Sequence, residues 1–343
     1  MGFANAHLDH RRRTYDVLAA RLAALSDDHL AALLAETASW RANVHGNQSG
    51  VIDVEGAKVF VKKISLTDLE RTAENEGSTA NVFGLPVFYQ YGVGSAGFGA
   101  WRELQANLRA SAWALSGKCP HFPLVYHWRA MPRTAPPPLS AEQQAWLERA
   151  PDYWDHSDAV RARLEAISAA SASIVLFLEY VPETLQAWLG NRLTGQGLDA
   201  ALEAAILRVH DQWHDTAAFM NERGMLHFDL NQHNVLTDGE RVYVADFGLT
   251  LCADFDLSPV ERAFFETHRL YDRCYVNWAF VEWLAPKSEA PVLTPALSAL
   301  VDRCAPVANI LGNFLNTLGK ESKTAPYPVT EFEAAFAAQS NVR

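Results

Sequence analysis

The sequence predicts an α+β protein in two lobes, a small one with an antiparallel sheet plus helix and a larger, mainly helical one. Strand-type runs joined at Gly56 stand in the first half, at residues 51–55 and 58–62. Helical spacing dominates after Gly248. With 343 residues, 49% of them hydrophobic, the chain can bury one large core or two medium ones.

Taken in order, residues 10–40 carry Leu18, Leu22, Leu25, Leu30, Leu33 and Leu34 at helical spacing. Ser26-Asp27-Asp28 breaks the run and caps a second helix, so residues 1–42 read as a helical N-terminal extension. The period then changes to that of strands, with a glycine turn at residues 46–50 before them. Strand alternation sends Lys62 and Lys63 to opposite faces. A helix begins near Ala100 and carries Glu103, and residues 122–126 suggest the next strand. Residues 65–99 and 131–171 read as insertions, the second opening with Pro132 and the Pro136-Pro137-Pro138 run and continuing as surface helix. Residues 174–181 read as a buried strand. A long amphipathic helix over 200–223 ends at Gly224, a C-terminal stop signal. Further helical segments are expected at 260–283, 296–318 and 329–338.

Composition narrows the function classes. Net charge is −11, which argues against nucleic acid, whose phosphates demand clustered Lys and Arg. The four cysteines (Cys119, Cys252, Cys274, Cys304) are far apart and form no Cys-x-x-Cys pair, so neither a zinc site nor a disulfide framework is indicated. No apolar run reaches the length of a membrane span, and the expectation is a cytoplasmic protein with no membrane partner. His210 and His214 stand four apart on a helix but lack a third ligand and read as packing residues. Residues 92–97 spell Gly-x-Gly-x-x-Gly. The acidic residue a dinucleotide site needs is missing after residues 124–126, where His127-Trp128-Arg129 stand, so the nicotinamide reading is rejected. Two readings of these glycines stay open: a plain connection with tight turns, or a loop that folds over phosphates or an acceptor.

Two short runs carry the chemistry: His227-Phe228-Asp229-Leu230-Asn231-Gln232-His233-Asn234, and Asp246-Phe247-Gly248 after one apolar strand. Residues 234–236 and 241–245 flank Asp238-Gly239 as a hairpin, which carries Asn234 and Asp246 to one end. In-line phosphoryl transfer needs a carboxylate that orients the attacking hydroxyl and accepts its proton, a role for Asp229. It needs oxygen ligands for Mg²⁺ as well, which suits Asn234 and Asp246.

The pattern H-x-D-x-x-x-x-N followed by D-F-G resembles the signature of the protein-kinase-like superfamily. The resemblance covers roughly residues 43–250 and implies a bilobal kinase-like fold, with the N-lobe at 43–181 and the helical C-lobe at 182–343. It implies ATP and Mg²⁺ as cofactors. Val59-Phe60-Val61-Lys62 resembles the phosphate-binding lysine strand, which makes Lys62 the candidate and Lys63 its competitor. Glu103 would pair with that lysine, with Glu70, Glu74 and Glu76 as alternatives. Gly46, Ser49 and Gly50 would lie near the nucleotide, and the backbone at Glu179 and Val181 would meet adenine, after Leu178 as gatekeeper.

Three departures bear on the acceptor. Phe228 stands where regulated protein kinases carry Arg, Asn231 stands where Ser/Thr kinases carry Lys, and no Ala-Pro-Glu follows Asp246-Phe247-Gly248. The chain therefore resembles the aminoglycoside and choline phosphotransferase branch, or an atypical protein kinase. The expected function is transfer of the γ-phosphoryl group to the hydroxyl of a small molecule such as a cationic antibiotic or metabolite. An atypical Ser/Thr protein kinase is the alternative, with a nucleotidyl transferase or a non-catalytic kinase-fold binding protein behind it.

Overall fold

The computed structural model describes residues 2–36, 40–43, 47–92, 94–133, 141–196, 198–284 and 293–340. It is mixed α and β, with eleven α-helices among the described residues. The chain divides into two compact units, Met1–Tyr89 with Ala96–Val181, and Gln90–Ser95 with Pro182–Arg343.

The first unit begins with α1 (Gly2–Ala23) and α2 (Asp27–Ala35), which Ser26 caps by accepting the His29 N–H. Strands β1 (Arg41–Ala42), β2 (Gln48–Val54) and β3 (Ala57–Leu66) follow, then α3 (Ala100–Leu115) and β4 (Val125–Pro132). After α4 (Ala141–Tyr153) and α5 (Asp158–Ala169) comes β5 (Ala172–Glu179), whose insertion gives an antiparallel sheet ordered β1-β2-β3-β5-β4. The β2–β3 turn has Glu55 at φ 54 and Gly56 at φ 78, the paired positive angles of a tight hairpin, and Asp53 Oδ1 accepts the Gly56 N–H at 2.9 Å. Alternation along β3 assigns the faces. Phe60, Ile64 and Leu66 pack with Trp101 and Leu104 of α3 and with Ile174 and Leu176 of β5. Lys62 shares their parity. Lys63 points the other way and stacks on the Trp40 ring at 3.8 Å. At the end of β5, the Arg11 guanidinium of α1 pairs with Glu179 at 2.6 Å and also donates to the carbonyls of Pro120 and Phe122.

The expected strand at 122–126 is displaced: β4 starts at Val125, beyond the Pro123 ring that cannot donate to a ladder, and Pro132 is tolerated because β4 is a sheet edge. The two insertions fold together. Leu85, Tyr89 and Phe98 of the first pack with Ala150, Trp154, Val160 and Leu164 of α4 and α5, so the helices expected on the surface share a second core. Glu70 holds that core to the sheet. Its Oε2 accepts from the Thr67 N–H, the Thr67 hydroxyl and Arg163 Nη1, and its Oε1 accepts the Ala100 N–H at the start of α3. Four donors thus meet the carboxylate, three on Oε2 and one on Oε1. The proline run at 136–138 lies outside the described residues.

The second unit contains β6 (Glu183–Thr184), α6 (Leu185–Gln196), α7 (Ala200–Glu222), β7 (Met225–Leu226), β8 (Val235–Thr237), β9 (Val242–Val244) and β10 (Leu251–Cys252). Four helices complete it: α8 (Pro259–Thr267), α9 (Tyr271–Leu284), α10 (Pro295–Lys320) and α11 (Val329–Ser340). In α7, capped by Asp199, the buried face runs through Leu202, Ile206, Val209, Trp213, Ala217 and Met220, a helical repeat. The helical signal over 260–283 divides into α8 and α9 because the chain turns at His268, whose N–H still bonds to Phe264 O while Tyr271 N–H bonds to His268 O. Among the described residues, no helix is long and apolar enough to cross a membrane.

Glu70→Ala leaves the Arg163 guanidinium, 2% exposed, without its carboxylate. The expected loss is about 3–5 kcal/mol of stability by urea denaturation. A loss below about 1 kcal/mol contradicts the anchoring role.

Candidate active site

The candidate site in the second unit is built on backbone pairing. Helix α7 stops where Gly224 adopts φ 72, and β7 pairs antiparallel with β10. In the next hairpin Val235 faces Val244, and the Ala245 N–H bonds to Asn234 O at 2.9 Å, so Asn234 and Asp246 leave the ladder at the same end. Asp238 shapes the turn, its Oδ1 accepting from the Glu240 and Arg241 N–H groups.

The loop between β7 and β8 is held from below by Asp272 of α9. This fully buried carboxylate accepts the His227 N–H on Oδ2 at 2.7 Å and the Phe228 N–H on Oδ1 at 2.9 Å, with Asn221 Nδ2 adding a third donor at 2.8 Å. Burial raises the Asp272 carboxyl to about 6, against the pull of these donors. Phe228 stands at φ 65 and Asp246 at φ 64, a left-handed conformation that side chains adopt only where the surroundings impose it. The Ala245 carbonyl can only accept, so the 3.1 Å contact from His227 Nε2 requires the proton on that nitrogen. Nδ1 then accepts the Asp229 N–H at 3.2 Å.

Three side chains converge on Asp229. Oδ1 accepts from Asn231 Nδ2 at 2.8 Å and from the Tyr275 hydroxyl at 3.4 Å, while Oδ2 accepts from Asn234 Nδ2 at 2.7 Å. Asn234 Nδ2 also donates to Asp229 O at 3.0 Å. Since both partners are acceptors, the Asn234 carboxamide oxygen must face away from them. Burial raises the Asp229 carboxyl to about 7, the negative charge of Asp246 adds to this, and the three hydrogen bonds oppose it. Asp246 is exposed, and the Phe247 ring behind it is buried against His227.

In the first unit, Lys62 Nζ lies 2.6 Å from Glu103 Oε1, with 15% and 6% of the two side chains exposed. Strand parity separates Lys62 from Lys63, and Glu70 is committed to Arg163 and the start of α3. Ser49 is the cross-strand neighbour of Lys62 and Gly50 that of Val61. Gly46 lies outside the described residues. At Glu179 the N–H bonds to Leu124 O at 2.8 Å and the carboxylate to Arg11, so neither is a donor or acceptor for adenine. The sheet thus takes the Glu179 N–H and α1 takes its carboxylate. Val181 is half-buried at the end of this unit.

Several contributors escaped sequence reasoning: Asp272, Tyr275, Asn231 as an orienting group, and the residues before the Gly-x-Gly-x-x-Gly run. Asp272 alone left a signal, an acidic residue within the mostly apolar run of α9. Tyr91, 5% exposed, packs its ring against Phe228, Phe264, His268, Tyr271 and Phe314. Its hydroxyl lies 2.5 Å from His268 Nε2, while His268 Nδ1 lies 2.7 Å from Phe264 O. Gly94 and Gly97 serve turns at φ 87 and φ 75, whereas Gly92 lies against Asp229. His210 and His214 pack on each other with rings 4.6 Å apart.

No protein-family model matches this chain, and no curated protein sequence matches it.

Asp272→Asn keeps one acceptor oxygen where two N–H groups need one each, and turns an amide donor toward the other. The expected cost is about 2–4 kcal/mol, as for one or two orphaned buried donors. Urea denaturation within about 0.5 kcal/mol of the parent rejects the clamp.

Burial lowers the His268 imidazole from 6.5 to about 4. The unfolded chain therefore takes up the proton first, and this contribution is complete above pH 6.5 and lost as pH falls toward 4. It amounts to about 3 kcal/mol. His268→Gln should flatten the fall in stability across that window; an unchanged slope in pH-dependent denaturation contradicts it.

Proposed function

We propose that this chain is an ATP- and Mg²⁺-dependent phosphotransferase with a bilobal protein-kinase-like fold, which moves the γ-phosphoryl group to the hydroxyl of a small molecule. The observation that carries the reading is the convergence on Asp229. Asn234 donates to Asp229 Oδ2 while its carboxamide oxygen faces elsewhere, and Asp246 is close enough for its charge to act on Asp229. A base and two hard oxygen ligands in one constellation suit phosphoryl transfer, in which positioning and charge neutralisation supply most of the catalysis.

The donor set fits Mg²⁺. This ion takes one or two protein oxygens and completes its octahedron with water and phosphate, so Asp246 and Asn234 suffice. Among the described residues no cluster of three His, Cys, Asp or Glu forms a metal cage, and the reading requires none. Bound there, Mg²⁺ would neutralise charge on the phosphates. In the first unit, the Lys62–Glu103 pair fits a phosphate-holding role, since a buried carboxylate fixes the ammonium in place. Asp229 orients the acceptor hydroxyl and takes its proton as the acceptor oxygen bonds to the γ-phosphorus and the bond to the β-phosphate oxygen breaks. Asn231 and Tyr275 fix the carboxylate plane.

Asp229→Ala should cut ATP turnover by roughly 10²- to 10⁴-fold with nucleotide binding retained. Lys62→Met should weaken turnover and also lower stability in urea denaturation, because it takes the ammonium away from the Glu103 carboxylate, which is 6% exposed. Turnover equal to the parent in the Asp229→Ala protein removes Asp229 from the reaction.

A further inference from the structure

We infer that the backbone at Gln90, Tyr91 and Gly92 is a fixed wall of the acceptor site, with Gly92 restricting the acceptor to a small hydroxyl compound and excluding a polypeptide segment. This rests on the phosphotransferase reading and names its substrate class.

The approach is close. A Cβ on Gly92 would stand 3.1 Å from Asp229 Oδ1 and 3.1 Å from Leu249 Cδ1, tighter than ordinary van der Waals contact. Gly92 lies outside the left-handed region, so its missing side chain answers to space, not to backbone angle.

The wall is anchored on both sides of the peptide that touches Asp229. Tyr91 is sunk in the aromatic cluster beneath the loop and bonded to His268. Gln90, 2% exposed, donates Nε2 to the Leu249 carbonyl. Nearby, the Ala96 N–H bonds to the Tyr89 hydroxyl at 2.9 Å. Such anchors describe a wall, not a lid.

Hydrogen-bond capacity then directs the acceptor. A carboxylate offers about four lone-pair positions. Asn231 and Tyr275 take both on Oδ1, the oxygen Gly92 covers, and Asn234 takes one on Oδ2. The remaining position is on Oδ2, beside the Asn234 side chain, and is the one open to an acceptor hydroxyl, with Gly92 closing the Oδ1 side of the carboxylate.

A peptide acceptor that binds by adding a strand needs backbone groups to pair with. Around Leu249 these are already engaged: the Leu249 carbonyl by Gln90, the Thr250 N–H by Phe247 O, and Leu251 and Cys252 by β7. A compact hydroxyl compound makes no such demand.

The test uses the full-length protein with Mg-ATP and five acceptors: water, ethanolamine, glycerol, glucose and dephosphorylated casein. ADP release and labelled phosphate in the acceptor are followed for the parent and for Gly92→Ala. The expected result is unlabelled casein, and rates in Gly92→Ala that fall with acceptor size, about tenfold or more for the bulkiest acceptor used and less for water. If Gly92→Ala fails to fold, Leu249→Ala reads the same feature by removing the opposing Cδ1, and the bulkiest acceptor should gain relative to water. Casein labelled as fast as any small acceptor overturns the inference, as do Gly92→Ala rates within twofold of the parent for every acceptor. Absence of ADP with all five acceptors in the parent protein overturns the phosphotransferase reading itself, and the wall falls with it.

Discussion

The candidate site depends on one buried carboxylate. Asp272 sits inside α9 with no exposed surface and spreads its two oxygens between consecutive N–H groups, those of His227 and Phe228. An ionised carboxylate is costly to bury, and the upward shift of its pKa to about 6 records that cost. What it offsets is a backbone that would not otherwise persist. Phe228 is held in a left-handed conformation, and the next residue is Asp229. Without two acceptors at that point, the His227 and Phe228 N–H groups that precede Asp229 would be buried unpaired.

From this clamp the remaining contacts follow outward. His227 ties the loop to Ala245, the residue before Asp246, and the hairpin ladder ties Ala245 to Asn234. Asp229, Asn234 and Asp246 are thus fixed relative to one another by the His227 side chain and the hairpin's main-chain bond, while Asn231 and Tyr275 set the carboxylate plane. Tyr91 supports the loop through its ring contact with Phe228. The aromatic cluster braces the loop by packing, which needs no covalent modification to form.

The geometry of this loop and hairpin was legible in the sequence because its elements are local. Spacing within residues 227–248, with an Asp-Gly turn between two short apolar runs, is enough to place Asn234 and Asp246 at one hairpin end. The period of two along β3 likewise separated Lys62 from Lys63, and Glu103 meets Lys62. Contacts without a period were not legible. Asp272 is 45 residues from His227, and Arg11 is 168 from Glu179, so each pairing exists only after the chain has folded. The two insertions looked like unrelated surface segments because their shared core is divided between them, with Leu85 and Phe98 on one side and Trp154 and Leu164 on the other. Glu70 read as one polar residue among several, although burial and four donors make it the joint of that core.

The most direct measurement is the ³¹P NMR spectrum of Mg-ATP incubated with the full-length protein and a panel of small hydroxyl acceptors. Phosphoryl transfer through Asp229 predicts loss of the γ-phosphate signal, appearance of ADP, and a new phosphomonoester resonance when an acceptor is used. AMP with pyrophosphate, or an unchanged ATP spectrum across the panel, would contradict the account.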